Sequence, residues 1–116
     1  MERCDKHEHA LFISQAEKLS EAELERICNI FRVLGEQSRM KIVLALTGGE
    51  LCVYHILEAV GGTQSGVSHQ LRILKDNGIV KSRRDGQNIL YSIADEHILK
   101  IVAMGKAHLH CEGAQK

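Results

Sequence analysis

The sequence predicts one mainly α domain that carries a small β-hairpin. Three observations lead there: apolar residues recur at helical spacing along most of the chain, glycines close the periodic stretches, and one alternating stretch is broken by Asp85-Gly86. At 116 residues, with 44% apolar and 26% charged side chains, the chain has ordinary globular composition and the length of a single domain. The expected division is a partly ordered N-terminal arm over residues 1–19, a folded domain over 20–112 and a tail over 113–116.

Ser20-Glu21-Ala22-Glu23 has the form of a capping box. Leu24, Ile27, Ile30, Phe31 and Leu34 then follow one helical face as far as Gly35. Residues 36–47 are apolar nearly all round, with Met40 and Ile42 to Leu46, which predicts a central buried helix ended by Gly48-Gly49. A shorter helix is expected over 51–60, with Val53, Ile56, Leu57 and Val60 on one side and Gly61-Gly62 as its stop. Thr63 is placed to cap the next helix, 64–76, whose Val67, Leu71 and Leu74 face inward while Gln64, Ser65, Ser68, His69 and Arg72 face outward. Two short helices joined by a glycine-containing turn form a helix-turn-helix. Beyond Asn77-Gly78, Ile79 to Arg84 and Gln87 to Ile93 flank Asp85-Gly86 as a hairpin, and an arginine-rich hairpin after a helix-turn-helix completes the winged helix-turn-helix pattern. A terminal amphipathic helix, Asp95 to His110, follows from Ile98, Ile101, Val102, Gly105 and Leu109.

Several function classes are disfavoured. No apolar run approaches the roughly 20 residues of a membrane span, and the charged start Met1 to His9 lacks the apolar stretch of a signal peptide, so a cytoplasmic protein without a membrane partner is expected. Its cysteines, Cys4, Cys28, Cys52 and Cys111, are then expected to stay reduced. The absence of Pro and Trp, with two Phe and two Tyr, points away from an aromatic-lined cofactor pocket and towards a helical module that is not an enzyme. A small zinc enzyme, built on three ligands and a water, lacks a recognisable general base or substrate loop here.

Charge is segregated although the net value is zero. Residues 1–36 carry five basic and eight acidic side chains, whereas residues 63–91 carry Arg72, Lys75, Lys81, Arg83 and Arg84 against Asp76 and Asp85. A local basic face on a neutral protein suits nucleic-acid phosphates, although it also reads as an ordinary solvated surface. Gln64 and Gln70 have the donor and acceptor to pair with adenine, and Arg72, Lys75, Arg83, Arg84 and Gln87 suit phosphates.

Seven histidines in so short a chain suggest metal chemistry. Asp95 and His97 open the terminal helix; His108 and Cys111 close it at i, i+3 spacing, and both pairs are zinc-type ligands. His97 and His108 share a helix face about 16 Å apart, at 1.5 Å per residue, whereas zinc bonds are about 2.0–2.3 Å long. The pairs can meet only if a second copy of the helix runs antiparallel alongside, giving a homodimer with two symmetric sites. Glu112, at i+4 from His108, is an alternative fourth ligand. The competing reading makes Asp95 a helix cap, the histidines surface residues and Cys111 part of a frayed tail.

Cys52 and His55, also at i, i+3, form a second candidate with Cys4, His7 and His9 of the arm. Thiolates with imidazole suit zinc, cadmium or lead, although Cys52 also fits as a small apolar residue. Cys28, at an apolar position of its helix, is expected to pack.

Gly66-Val67-Ser68-His69-Gln70-Leu71-Arg72-Ile73-Leu74-Lys75, then Gly78-Ile79-Val80, the Arg83-Arg84-Asp85-Gly86 hairpin and Leu51-Cys52-Val53 together resemble the ArsR/SmtB family of bacterial repressors. The resemblance spans roughly residues 20–112 and implies a homodimer through the N- and C-terminal helices. It further implies that the metal-free dimer binds double-stranded operator DNA and lets go when an inducer, commonly a metal ion, binds. Ser65, Ser68, His69 and Gln70 match the family's recognition-helix pattern. Zinc sensors of the family carry Asp, His, His and then Glu or His at the spacing of Asp95, His97, His108 and Cys111, so zinc is the first expected inducer, with cobalt, nickel, cadmium or lead as others. The family's arsenic and cadmium sensors carry Cys-Val-Cys where this chain has Cys52-Val53-Tyr54, which weakens an arsenite reading. A thiol-based redox or reactive-sulfur repressor of the same fold is the alternative, with no close cysteine pair to support it.

Overall fold

A computed structural model describes residues 18–111. Most of the expected arm and all of the expected tail, with Cys4, His7, His9 and Glu112, lie outside the described residues. Helices α1 (Glu21–Leu34) and α2 (Gln37–Leu46) are followed by the short strand β1 (Leu51–Cys52), then α3 (Val53–Val60) and α4 (Gln64–Asp76). Strands β2 (Val80–Asp85) and β3 (Asn88–Ile93) and helix α5 (Glu96–Leu109) complete the order.

The chain falls into two compact units, one ending at Phe31 and the other running from Arg32. In the first, the capping box at the start of α1 is reciprocal: Glu23 N–H donates to Ser20 Oγ at 3.1 Å and Ser20 N–H donates to Glu23 Oε1 at 3.0 Å. Leu24, Ile27 and Phe31 stay 40–55% exposed along one face of α1. Cys28 is exposed as well, not packed as its periodicity suggested. Apolar spacing identifies a face but does not say whether the same chain covers it.

The second unit holds the core. Ile42, Val43 and Leu46 of α2, Ile56 of α3, Val67, Leu71 and Leu74 of α4, Ile79 just before β2, Val80 and Ile93 of the hairpin, and Ile98 and Val102 of α5 are all buried. The expectation that α2 is buried all round is too strong, since Leu44 is 38% exposed.

Thr63 caps α4 as expected, its Oγ1 accepting from Gly66 N–H at 3.0 Å. The other end closes as a Schellman turn: Ile79 N–H reaches Leu74 carbonyl at 2.9 Å and Gly78 N–H reaches Lys75 carbonyl at 3.0 Å, with Gly78 at φ +73°. The left-handed φ explains the glycine, and the turn brings buried Ile79 against the end of α4 before β2 begins.

Leu51 and Cys52 correct the predicted helix over 51–60. They pair antiparallel with β3, Leu51 opposite Tyr91 and Cys52 opposite Leu90, and the extended backbone of Cys52 serves as the N-cap position of α3. The helical pattern of Val53, Ile56, Leu57 and Val60 begins only after this strand. The three-stranded sheet has the order β1-β3-β2. Asp85 pairs with Asn88, so the two-residue loop is Gly86-Gln87, one position later than expected, and Gly86 at φ +65° supplies the positive φ such loops need.

Leu74 is fully buried where α4 meets the hairpin. Leu74→Ala is expected to lower the free energy of unfolding by about 2–5 kcal/mol, measured by urea titration at fixed protein concentration.

Candidate nucleic-acid interface and metal centre

Burial of Val67, Leu71 and Leu74 fixes which side of α4 meets solvent. Gln64, Ser65, Ser68, His69, Arg72 and Lys75 are all exposed, with Ser65, His69 and Arg72 nearest the line opposite the buried stripe. Gln70 differs from the expectation. It is half-buried and turned towards α2, where Arg39 Nη1 donates to its Oε1 at 3.0 Å while Arg39 Nε donates to Val33 carbonyl at 2.8 Å. Arg39, which holds this corner together, was not singled out from the sequence; no local motif marks it.

The hairpin separates its two arginines. Side chains alternate along a strand, so Arg84 lies on the face of Val80 and Ser82, and Arg83 on the face of Lys81 and Asp85. Arg84 and Gln87 are exposed near the tip. Arg83 instead makes a fork to Glu50, Nε to Oε2 at 2.7 Å and Nη2 to Oε1 at 2.8 Å. The hydrogen bonds from Arg83, together with its charge and that of Lys81, hold the Glu50 carboxyl below its ordinary value near 4.5, against a smaller opposing effect of desolvation. The same fork raises the basicity of Arg83. The grouping of Arg83 with Arg84 as equivalent phosphate ligands overlooked the two-residue alternation, which was visible in the sequence. Glu50 as a partner was not visible, because it depends on β1 pairing with β3.

Asp95 does cap α5: its Oδ1 accepts from His97 N–H at 2.9 Å and Ile98 N–H at 3.2 Å. The same oxygen lies 3.4 Å from His97 Nδ1, and both side chains are exposed, His97 at 82% and Asp95 at 53%. Capping and ligation are therefore compatible, since the described hydrogen bonds use one carboxylate oxygen. His108 and Cys111 are exposed at the far end. At 100° per residue, His97, Ile101, Met104 and His108 fall within about 40° of one line along the helix, and Cys111 lies just beyond its C-cap, His110. Between the two ligand pairs on that line, Ile101 is 36% and Met104 69% exposed. Within one copy, no group of three or more metal-ligating side chains converges among the described residues. The donor set nevertheless fits a zinc-type ion in chemistry: carboxylate, two imidazoles and a thiol, all accessible.

Cys52 and His55 are brought together, Sγ to Nδ1 at 3.5 Å, with Cys52 half-buried. Their expected companions on the arm lie outside the described residues. An open cleft of about 460 Å³ beside α4 is lined by Lys41, Ile42, Val60, Thr63, Val67 and Gln70, among others, and gathers none of the predicted ligands.

Residues 36–82, the helix-turn-helix and the start of the hairpin, match the model of the arsR family of bacterial regulatory proteins. A transcriptional repressor SmtB homolog from Synechocystis sp. is 38% identical over 95 residues, 82% of this chain and 72% of that relative. The chain belongs to the ArsR family. A cadmium resistance transcriptional regulatory protein, a CadC homolog from Staphylococcus aureus, is 38% identical over 85 residues, 72% of this chain and 69% of its own length. Among solved structures, the homodimeric winged helix-turn-helix DNA-binding domain of a possible ArsR-family regulator from Mycobacterium bovis superposes with a TM-score of 0.70 at 27% identity, covering 84% of this chain and 97% of that one. As an ArsR-family member the chain is a DNA-binding transcriptional regulator and not an enzyme, and its fold is the winged helix-turn-helix. No described helix is long and apolar enough to cross a membrane.

The Glu50–Arg83 pair has a defined pH dependence. Because the folded-state carboxyl titrates below its ordinary value near 4.5, the pair contributes fully above that value and its contribution disappears as pH falls through the lowered one. Side-chain NMR should show Arg83 Nε–H at its paired position down to below pH 4.5. Glu50→Gln should abolish the transition.

Proposed function

We propose that this ArsR-family regulator is a homodimeric, metal-responsive repressor whose metal-free form holds operator DNA and releases it when a divalent ion, zinc before others, binds between two copies of α5. The observation that carries the reading is the stripe on α5. Its two ligand pairs, Asp95 with His97 and His108 with Cys111, are about 16 Å apart along one helix, and the residues between them on that line, Ile101 and Met104, are exposed apolar side chains. An antiparallel copy covers Ile101 and Met104 and places Asp95 and His97 of one protomer beside the partner's His108 and the partner's Cys111. Covering the apolar stripe on α1 in the same dimer removes a second exposed apolar surface. The homodimeric state of the Mycobacterium bovis domain and the repressor name of the Synechocystis relative support this reading.

On DNA, Gln64, Ser65, Ser68 and His69 of α4 face the major groove, while Arg72, Lys75, Arg84 and Gln87 meet phosphates. Gln70, already bonded to Arg39, orients the helix. Cys52 and His55 form half of a second site for a softer ion such as cadmium, in keeping with the cadmium resistance regulator among the relatives.

Ion binding that favours a dimer geometry ill-matched to DNA weakens operator binding by the same factor by which DNA weakens ion binding. Fluorescence anisotropy of the reduced protein on a duplex from its own upstream region should show zinc weakening DNA binding by about 5–150-fold, the usual range of such coupling. His97→Ala should bind the duplex normally without zinc and lose the response; a fully responsive His97→Ala protein would exclude the α5 site. Arg84→Ala should lower the slope of log affinity against log salt by about one contact.

A further inference from the structure

We propose that Glu50 is a positioning residue for DNA binding: it holds Arg83 as a brace across the sheet, so that Arg83 sets the direction of the wing instead of contacting phosphate. The wing is the β2–β3 hairpin. Strand β1 pairs with β3 only at Leu90 and Tyr91, so from Arg84 to Ile89 the wing is a two-stranded ribbon, a structure marginal by itself in water. Arg83, Leu90 and Cys52 occupy one cross-strand row, Arg83 on the β2 edge and Cys52 on the β1 edge. Edge strands of a three-stranded sheet lie about 10 Å apart, two strand spacings, within reach of an arginine and a glutamate that meet over the middle strand.

Glu50, one residue before β1 and two before Cys52, supplies the other half. The contact is a fork with both hydrogen bonds short, 2.7 and 2.8 Å, which fixes the orientation of the guanidinium as well as its position. Partly exposed ion pairs of this kind add little to global stability, so the fork matters chiefly through what it orients. That is Arg84, the adjacent residue on the opposite face, which is left without a fork of its own. The division of labour follows from the alternation: one arginine anchors the sheet and its neighbour is presented to the phosphates.

The test compares the full-length wild-type protein with Glu50→Gln, Arg83→Lys and the exchanged pair Glu50→Arg/Arg83→Glu, on a duplex from its own upstream region at fixed salt. Glu50→Gln removes a negative charge near DNA and should still weaken binding several-fold, because the brace is lost. Arg83→Lys keeps the charge but not the fork and should weaken binding similarly. The exchanged pair should recover most of the affinity, although it places a carboxylate at position 83. In the free protein, amide hydrogens of the β2–β3 ladder should exchange faster in Glu50→Gln than in Arg84→Gln, a readout independent of DNA. Tighter binding by Glu50→Gln, wild-type binding by Arg83→Lys, or an exchanged pair weaker than either single variant would each overturn the proposal and make Arg83 a phosphate ligand that Glu50 restrains.

Discussion

The seating of α4 is the constraint on which the molecule's working surface depends. Val67, Leu71 and Leu74 bury one face against the core, and the rotation this imposes decides which side chains reach solvent. Thr63 at one end and the Gly78 turn at the other stop the helix from sliding or extending. Because Ile79 is buried immediately after that turn, the same packing also fixes where the hairpin starts. Recognition helix and wing are thus set by one block of aliphatic side chains, and that block contains no buried polar group among the described residues.

The regulatory chemistry proposed for α5 lies at the opposite extreme. Its proposed ligands are exposed, its apolar stripe is uncovered in a single copy, and nothing among the described residues of one chain brings the two ends of the stripe together. A site with those properties has ion binding and self-association built into the same surface, so that each strengthens the other. Asp95 sits at the junction. It closes the first turn of α5 through one oxygen and stands in the proposed ligand set, which would tie the start of that helix to the occupancy of the site.

Much of this was legible in the sequence because it depended on spacing alone. The inward stripe of α4, the capping box at Ser20, the caps at Thr63 and Asp95 and the hairpin all follow from local periodicity or from one side chain bonding its own backbone neighbourhood. What was not legible depended on contacts between distant segments. Leu51 and Cys52 become a strand only because β3 offers them a partner. Gln70, expected as a partner for adenine, turns towards α2 only because Arg39, far away in sequence, meets it. Arg83 is taken by Glu50 for the same reason. The exposure of Cys28 and Leu44 shows another limit: apolar periodicity marks a surface to be covered without saying by which chain. The α5 side chains proposed as ligands fall into two pairs already in the sequence, too far apart along one helix for a single ion to join within one copy.

The alternation of Arg83 and Arg84 across the two faces of β2 imposes a parity on the wing. Lengthening the hairpin by adding one residue to each strand beyond Arg84 leaves both arginines where they are and moves only the tip. Inserting a single residue between Val80 and Arg83 does the opposite, turning Arg83 to the face of Val80 and Arg84 to the face of Lys81. The wing of this chain can therefore change reach at the loop, whereas upstream of Arg83 a change in length keeps the two arginines on their present faces only when it comes in steps of two.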